Sequence, residues 1–179
     1  IISPRDFIFY FMATSVKNNQ AVALFSGGQD SATCLMWALK KFKRVYLVSF
    51  DYGQRHKIEL QAAKRIAKKL KLPHAIIKID LLKELTKNAL TDRSVKVKAG
   101  TRSRLPTTFV PGRNLVFLTA AAIFARQKGI PNLVGGMCQT DYSGYPDCRE
   151  EFIRTTEQTL RLAMEFSFLP MQSLLRHHG

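Results

Sequence analysis

The chain has 179 residues, of which 46% are hydrophobic and 23% are charged, and its formal net charge is +15. This composition is typical of one globular domain that can bury a substantial core, and it argues against a disordered chain. No apolar run approaches about 18 residues, which argues against a membrane-spanning helix. The short apolar run Phe7–Met12 has no context typical of a signal peptide.

The excess of positive charge would favour a polyanion such as nucleic acid, an anionic surface or a nucleotide. Much of it lies in two predicted helical segments, at the end of one (Lys40–Arg44) and along a face of the other (Lys64–Lys71). An ordinary solvated helix surface is therefore the simpler interpretation. The three cysteines include no Cys-x-x-Cys pair, so they support neither a disulfide framework nor a zinc knuckle and instead predict a cytoplasmic protein.

Residues 1–19 precede the first strong pattern, and we expect them to be an extension outside the fold. The apolar run Ala21–Phe25 predicts a buried strand, and a helical pattern follows as far as about Lys41. Between them lies the loop Ser26–Ser31. This arrangement predicts a loop at the point where a strand turns into a helix.

That loop has the composition of a phosphate cradle. Gly27 and Gly28 allow a tight turn and a close approach of backbone to ligand. The first amides of the helix have no partner within it, and the hydroxyls of Ser26, Ser31 and Thr33 add donors. A plain strand-to-helix turn is the alternative.

The next elements continue the alternation of strand and helix. A second apolar strand, Val45–Phe50, leads into Asp51–His56, and a helix begins near Ile58 and ends before Pro73. A third strand, Ala75–Ile79, follows. This order predicts an α/β fold with a doubly wound, mainly parallel sheet and helices on both faces. Ligands of such sheets bind at the carboxyl ends of the strands.

The second half of the chain is less regular. We expect a short helix at Leu81–Leu90 and then a long polar loop, Thr91–Thr108, that is either a lid or disordered. A buried apolar helix at Asn114–Gly129, a fourth strand at Asn132–Met137 and a last helix at Pro146–Phe166 should follow.

Four loops carry a family resemblance. The string Ser-Gly-Gly-x-Asp-Ser after a strand resembles the signature of the PP-loop ATP pyrophosphatase superfamily, and it lacks the Gly-Lys-Ser/Thr of a Walker loop. The four loops are Phe25–Ser31, Phe50–His56, Phe109–Asn114 and Thr140–Arg149. Together they resemble the corresponding loops of the 7-cyano-7-deazaguanine synthases of queuosine biosynthesis, and the resemblance extends over residues 20–166.

The resemblance implies a PP-loop ATP-binding ligase domain over residues 20–166, with a fold similar to adenine nucleotide alpha hydrolases. It implies an ATP-dependent carbon–nitrogen ligase that converts 7-carboxy-7-deazaguanine and ammonia to the nitrile through an acyl-adenylate. The expected cofactors are ATP and Mg²⁺. The expected partners are these small molecules and, as in the family, a second copy of the chain, with neither a membrane nor direct nucleic acid.

The expected roles follow the chemistry of adenylation, which needs positioning and charge stabilisation. Asp30 and Arg113 are the candidate catalytic residues, and Asp30 is also a candidate Mg²⁺ ligand. The candidate nucleotide-binding residues are Phe25, Ser26, Gly27, Gly28, Gln29, Asp30, Ser31, Ala32, Thr33, Cys34, Leu35, Asp51 and Tyr52. The candidate substrate-binding residues are Gln54, Arg55, Arg113, Gln139, Asp141, Tyr145 and Asp147.

Simpler interpretations stand beside these roles. Arg113 could be a helix-cap arginine on the surface, and His56 could simply start a helix. The loop Thr140–Arg149 could be a turn in which Asp147 helps to cap the last helix.

The C-terminal part departs from the family pattern. The family continues with a Zn²⁺ site of four cysteines, whereas this chain has no cysteine after Cys148, so its metal ligands are missing here. We therefore expect a truncated or frameshifted member with an atypical tail at residues 167–179. Two alternatives remain at this point: another PP-loop adenylating enzyme, or an inactive domain that binds nucleotide or RNA.

Overall fold

The structure, a computed structural model, describes residues 10–12, 19–54, 58–86, 108–137, 145–166 and 171–173. The strands are β1 Tyr10–Met12, β2 Gln20–Leu24, β3 Arg44–Asp51, β4 His74–Lys78, β5 Leu133–Gly135 and β6 Met171–Ser173. The helices are α1 Gln29–Lys41, α2 Ile58–Lys69, α3 Leu81–Leu85, α4 Arg113–Gln127 and α5 Glu150–Met164, with a 3₁₀ turn at Pro146–Cys148.

The strands form one sheet in the order β4-β3-β2-β5-β1-β6. The pairs β4–β3, β3–β2 and β2–β5 are parallel, and β1 is antiparallel to both β5 and β6. The prediction of a mainly parallel α/β sheet is confirmed. Because the four parallel strands share one direction, their carboxyl ends meet at one edge of the sheet.

Both faces of the parallel sheet are covered, which explains why β2 and β3 are almost continuously apolar. Ala21 and Ala23 of β2 pack with α1 and α2 on one face, while Val22 packs with α4 and α5 on the other. In β3, Leu47 packs with α1 and α2, and Val48 packs with α4 and α5. The sequence shows no alternation here because both sets of alternating side chains are buried.

The structure corrects the expectation that residues 1–19 lie outside the fold. The segment Tyr10–Met12 pairs with β5, with Tyr10 opposite Gly135, and on its other side with Met171–Ser173 of the tail. The backbone groups of β5 would otherwise be left open on that side, and a short added strand satisfies them. The remaining residues of both segments, 1–9, 13–18, 167–170 and 174–179, lie outside the described part, apart from Asn19.

Three helix predictions also need correction. The helix α4 buries only one face, since Leu115 and Ile123 are 44% and 51% exposed. The predicted last helix is broken at Arg149, whose extended backbone separates the 3₁₀ turn from α5. The short helix α3 ends at Leu85, because Thr86 has an extended backbone. Residues 87–90 of its predicted continuation and most of the predicted loop, at 91–107, lie outside the described residues. No helix in the described ranges is long and apolar enough to span a membrane.

A chain of side-chain hydrogen bonds ties three parallel strands together. The buried Ser49 hydroxyl of β3 donates to the carbonyl of Phe25, at the end of β2. That hydroxyl has one proton, so it accepts from His74 Nε2–H of β4, 2.7 Å away. Partial burial lowers the pKa of His74, and the nearby Lys64 ammonium lowers it further.

We predict that Lys64→Met raises the pKa of His74, because a repelling positive charge is removed. The lowered pKa in the folded state means that stability falls as pH drops below the unfolded value of about 6.5, where the unfolded chain takes up the proton first. The substitution should weaken that fall. An NMR titration of the imidazole resonances tests this, with Lys68→Met, one helical turn further along α2, as the control; equal titration curves for the parent and Lys64→Met would contradict it.

Candidate active site

A cavity of about 310 Å³ opens at the carboxyl ends of β2, β3 and β5. This volume suits a small molecule or part of one. Eight of the predicted site residues line it: Phe25, Ser26, Asp30, Ser31, Tyr52, Gln54, Arg113 and Tyr145. Residues that the sequence did not single out also line it, among them Ser49, Glu59, Asn114 and Phe117.

The loop between β2 and α1 is held by its own serines. The Gly27 amide donates to Ser31 Oγ at 3.2 Å, and the Gly28 amide donates to Ser26 Oγ at 3.2 Å. Ser31 Oγ in turn donates to the Gly28 carbonyl at 3.0 Å. Since Gly28 is the N-cap of α1 and has no side chain to accept from the first turn, the positive end of the helix faces the loop. This arrangement can bind an anion such as phosphate.

The start of α2 rests directly on this loop. Gly27 has a φ of +88°, and a Cβ there would lie 2.3 Å from the Glu59 carbonyl oxygen and 2.7 Å from the Ala63 amide nitrogen. Only glycine fits, because both its backbone angle and its contact with backbone atoms exclude a side chain. The contact also brings Glu59 to the cavity, with Oε1 3.6 Å from the position that a Cβ on Gly28 would take.

Arg113 enters the cavity from the first turn of α4. Its guanidinium lies close enough to the Tyr52 hydroxyl to influence it electrostatically, and it lies over the ring of Tyr145, with Cζ 5.8 Å from the ring centroid. Burial raises the pKa of Tyr52, the positive charge of Arg113 partly opposes this, and the negative charge of Glu59 adds to it. Tyr52 is therefore a neutral phenol at physiological pH. The half-buried Arg113 is thus part of the cavity wall.

Aromatic side chains line the cavity beside Arg113. Phe117 stacks on Phe50 with centroids 4.4 Å apart and packs at a tilt on Tyr52 at 5.3 Å. Across the guanidinium, Tyr145 stacks on Phe109 at 5.5 Å. Such faces can bind a planar ring. Phe117 lies four residues after Arg113 and so on the same face of α4, a spacing that could have identified it from the sequence.

Asp147 lies behind this wall. It is 6% exposed, and its Oδ2 accepts a hydrogen bond from the Asn114 amide of α4 at 3.0 Å. Asn114 Nδ2 donates back to the Asp147 carbonyl at 3.0 Å and to Cys148 Sγ at 3.3 Å. The alternative that Asp147 caps the last helix is wrong, because its side chain caps α4 and the N-cap of α5 is Arg149. Asp147 is not among the residues that line the cavity.

Several other predicted nucleotide-binding residues lie away from the cavity. Thr33 Oγ1 donates to the carbonyl of Gln29 within α1, so it does not join the cradle. Cys34 is buried beside Gly136, and its burial, followed by the charge of Asp30, raises the pKa of its thiol, which makes it unreactive. Ala32, Leu35 and Asp51 are also not lining residues.

The turn after β3 is braced by its own side chains. Gln54 accepts from the Tyr52 amide at 3.0 Å and donates to the Phe50 carbonyl at 3.3 Å, and Asp51 Oδ1 accepts from the Gly53 amide at 3.3 Å. These bonds hold Tyr52 toward Arg113. The candidate residues Arg55, Gln139 and Asp141 lie outside the described residues.

The doubly wound sheet and the loop at its switch from strand to helix define an α/β protein whose cavity lies where a helix N-terminus can bind an anion. A solved structure with this fold is a predicted subunit of a tRNA methyltransferase from Methanocaldococcus jannaschii. The TM-score is 0.51 and the identity is 20%, over 89% of this chain and 69% of that one. At that identity the likeness shows the fold alone.

Sequence comparison identifies the family. The model of the family described as "Queuosine biosynthesis protein QueC" matches residues 20–176, ten residues beyond the expected limit at 166. The 7-cyano-7-deazaguanine synthase of Lysinibacillus sphaericus is 49% identical over 154 residues, which are 86% of this chain and 70% of that protein. The synthase of Clostridium acetobutylicum is 48% identical over 165 residues, which are 92% of this chain and 74% of that protein. The chain belongs to the QueC family.

We predict that Gly27→Ala lowers the free energy of unfolding by about 2–4 kcal/mol, through an unfavourable φ and overpacking against α2. Gly129→Ala is the matched control, because Gly129 also has a positive φ, +64°, but no atom within 4 Å of the added Cβ. It should cost only about 1 kcal/mol. Urea denaturation of both variants tests this, and equal losses would contradict the contact with α2.

We also predict that Arg113→Met raises the pKa of Tyr52 further, because the guanidinium is what opposes the effect of burial. An ultraviolet titration of tyrosinate absorbance tests this, with the Tyr52→Phe variant subtracted to isolate the one residue. Arg126→Met, near the other end of α4, is the control. A Tyr52 pKa that is unchanged in Arg113→Met would show that the two side chains do not interact in solution.

Proposed function

We propose that the chain is an ATP-dependent ligase that forms 7-cyano-7-deazaguanine from 7-carboxy-7-deazaguanine and ammonia, within a domain spanning residues 20–166. The observation that carries the proposal is the meeting of the Ser26–Ser31 loop and Arg113 in one cavity. An anion site and a guanidinium in one small cavity suit the activation of a carboxylate by a nucleotide. The names of the relatives, 7-cyano-7-deazaguanine synthases, support the choice of product.

The reaction needs two activations. The substrate carboxylate attacks the α-phosphorus of ATP, which forms an acyl-adenylate and releases pyrophosphate. Ammonia then displaces AMP and leaves an amide. The amide oxygen then attacks the α-phosphorus of a second ATP, which releases a second pyrophosphate and one amide proton. Loss of AMP and of the remaining proton on nitrogen gives the nitrile.

The protein groups act by position and charge. The first amides of α1, which have no partner within the helix, would hold the pyrophosphate leaving group. The hydroxyls of Ser26 and Ser31 would join them by exchanging their bonds within the loop for bonds to the ligand. The planar fork of Arg113 would bind the α-phosphate or the acyl-adenylate. Because Tyr52 stays neutral, it keeps its phenolic proton and leaves the guanidinium its full charge for phosphate.

The residues present fit Mg²⁺. Among the described residues that line the cavity, the charged groups are the carboxylates of Asp30 and Glu59 and the guanidinium of Arg113. Carboxylate and phosphate oxygens are the ligands that Mg²⁺ prefers, so Asp30, with Glu59 nearby, would hold it. When bound, it would neutralise phosphate charge that these carboxylates otherwise repel. Zn²⁺ does not fit in the same way, since the three cysteines of this chain cannot supply the family's four.

The deazaguanine would bind against the aromatic wall. Tyr145 and Phe117 offer faces for its ring, and Gln54 borders the same cavity. We propose that Arg55, Gln139 and Asp141, which lie outside the described residues, complete the contacts to its polar edge. A carboxylate such as that of Asp141 accepts the N–H donors that a guanine-like base presents.

We predict that the protein releases AMP when it is incubated with 7-carboxy-7-deazaguanine, ammonia and Mg-ATP. Arg113→Lys should lower kcat/KM by about 100-fold, because a point charge replaces a fork that contacts the developing charge. The control is Arg65→Lys, an exposed position on α2. Chromatographic measurement of AMP and of the nitrile tests both statements.

Other outcomes would separate the alternatives. ATP–pyrophosphate exchange that depends on a different acceptor would replace this function with that of another PP-loop enzyme. An absence of AMP together with RNA affinity that falls steeply with salt would indicate a binding domain instead.

A further inference from the structure

The helix α4 begins without a cap of its own. Its N-cap is Gly112, which has a φ of +72° and no side chain, and its first turn contains no acidic residue. The first amides of a helix need acceptors, and its positive end favours a negative charge. Both must come from elsewhere in the chain.

Asp147, which lies 33 residues after Asn114 in the chain, supplies both an acceptor and a negative charge. Its carboxylate accepts the Asn114 amide, and the Asn114 side chain returns a bond to the Asp147 carbonyl. Both residues are buried, Asp147 to 6% exposure and Asn114 to 8%. The two reciprocal bonds fix the 3₁₀ turn against the first turn of α4 and define their relative orientation.

The residue immediately before Asn114 is Arg113. Its own amide donates to the Val110 carbonyl at 3.1 Å, while its guanidinium extends to Tyr52 and Tyr145. The direction in which this side chain leaves the helix therefore depends on how the first turn of α4 is held.

We propose that Asp147 is a positioning residue, which caps α4 and thereby places the Arg113 guanidinium in the cavity. It acts through Arg113 and does not touch the deazaguanine. This rests on the proposed function, in which Arg113 binds the phosphate that is attacked.

The environment of the other carboxylate oxygen of Asp147 is consistent with this role. Asp147 Oδ1 is buried and has no hydrogen-bond partner among the described residues. The negative charge is stabilised by the positive end of α4, to which the other oxygen is bonded. An asparagine at this position would keep an acceptor for the Asn114 amide but lose the charge.

The test is a double-mutant comparison of AMP formation. Asp147→Ala should lower kcat/KM by about 100-fold, the loss that a displacement of about 1 Å can cause. In the Arg113→Ala background the same substitution should cause little further loss, because the group that it positions is already gone. Losses that multiply would overturn the proposal and favour direct contact of Asp147 with the substrate.

Two further variants guard against a mere failure to fold. Asp147→Asn keeps size and one acceptor, so it should retain the fold and fall between the parent and Asp147→Ala in kcat/KM. The control Glu151→Gln makes the same change of charge at an exposed position in the first turn of α5 and should have no effect. An Asp147→Asn variant that folds and matches the parent in kcat/KM and in the reactivity of Arg113 would overturn the proposal.

A measurement that does not depend on catalysis tests the positioning role of Asp147 separately from the proposed function. Phenylglyoxal modifies accessible arginines, and peptide mass mapping gives the rate at Arg113, with the exposed Arg65 as the internal reference. Asp147→Asn should raise the rate at Arg113, since the guanidinium is less firmly held. If the parent forms no AMP, the proposed function fails while this measurement still decides the positioning role, and an unchanged rate overturns it.

Discussion

The close packing of α2 on the loop before α1 is the constraint on which the site depends. Because β2 and β3 are parallel neighbours, α1 and α2 return along the same face of the sheet, and their first turns arrive at the same edge. The backbone of α2 then meets the loop at Gly27, too closely for any side chain. The cradle is thus supported from behind by a helix, and Glu59 is brought to the cavity by the same contact.

The charges of the cavity follow from that geometry. The carboxylates of Asp30 and Glu59 and the guanidinium of Arg113 line the same cavity. Phosphate oxygens near the carboxylates need a cation between them, whereas those nearer α4 meet the guanidinium directly. Under the proposed function, a nucleotide would lie with its terminal phosphates toward the loop and its α-phosphate toward Arg113 and the aromatic wall.

The sequence predicts the parallel sheet and the position of the Ser26–Ser31 loop between β2 and α1 well, because both depend on local patterns: buried strands, helix periodicity and a loop of glycines and serines. It does not predict β1 and β6, three-residue strands whose pairing depends on an open edge of β5. Glu59 and Asn114 were missed since their contacts join segments far apart in the chain. The sequence predicts Asp147 as a substrate-binding residue or a cap of the last helix, whereas it caps α4 at Asn114, 33 residues earlier in the chain, which no local capping rule can show.

The hydrogen bonds between Asp147 and Asn114 hold two parts of the site, the 3₁₀ turn and the first turn of α4, against each other. The turn that carries Asp147 begins directly after Tyr145, whose ring lies beneath the Arg113 guanidinium and whose hydroxyl bonds to Thr108 at 2.8 Å. Under the proposed function, a planar substrate against Tyr145 would touch the same wall that places the arginine. A shift of that wall would then displace the arginine as well, so the binding of the ring and the activation of the carboxylate would be coupled through α4 and the 3₁₀ turn.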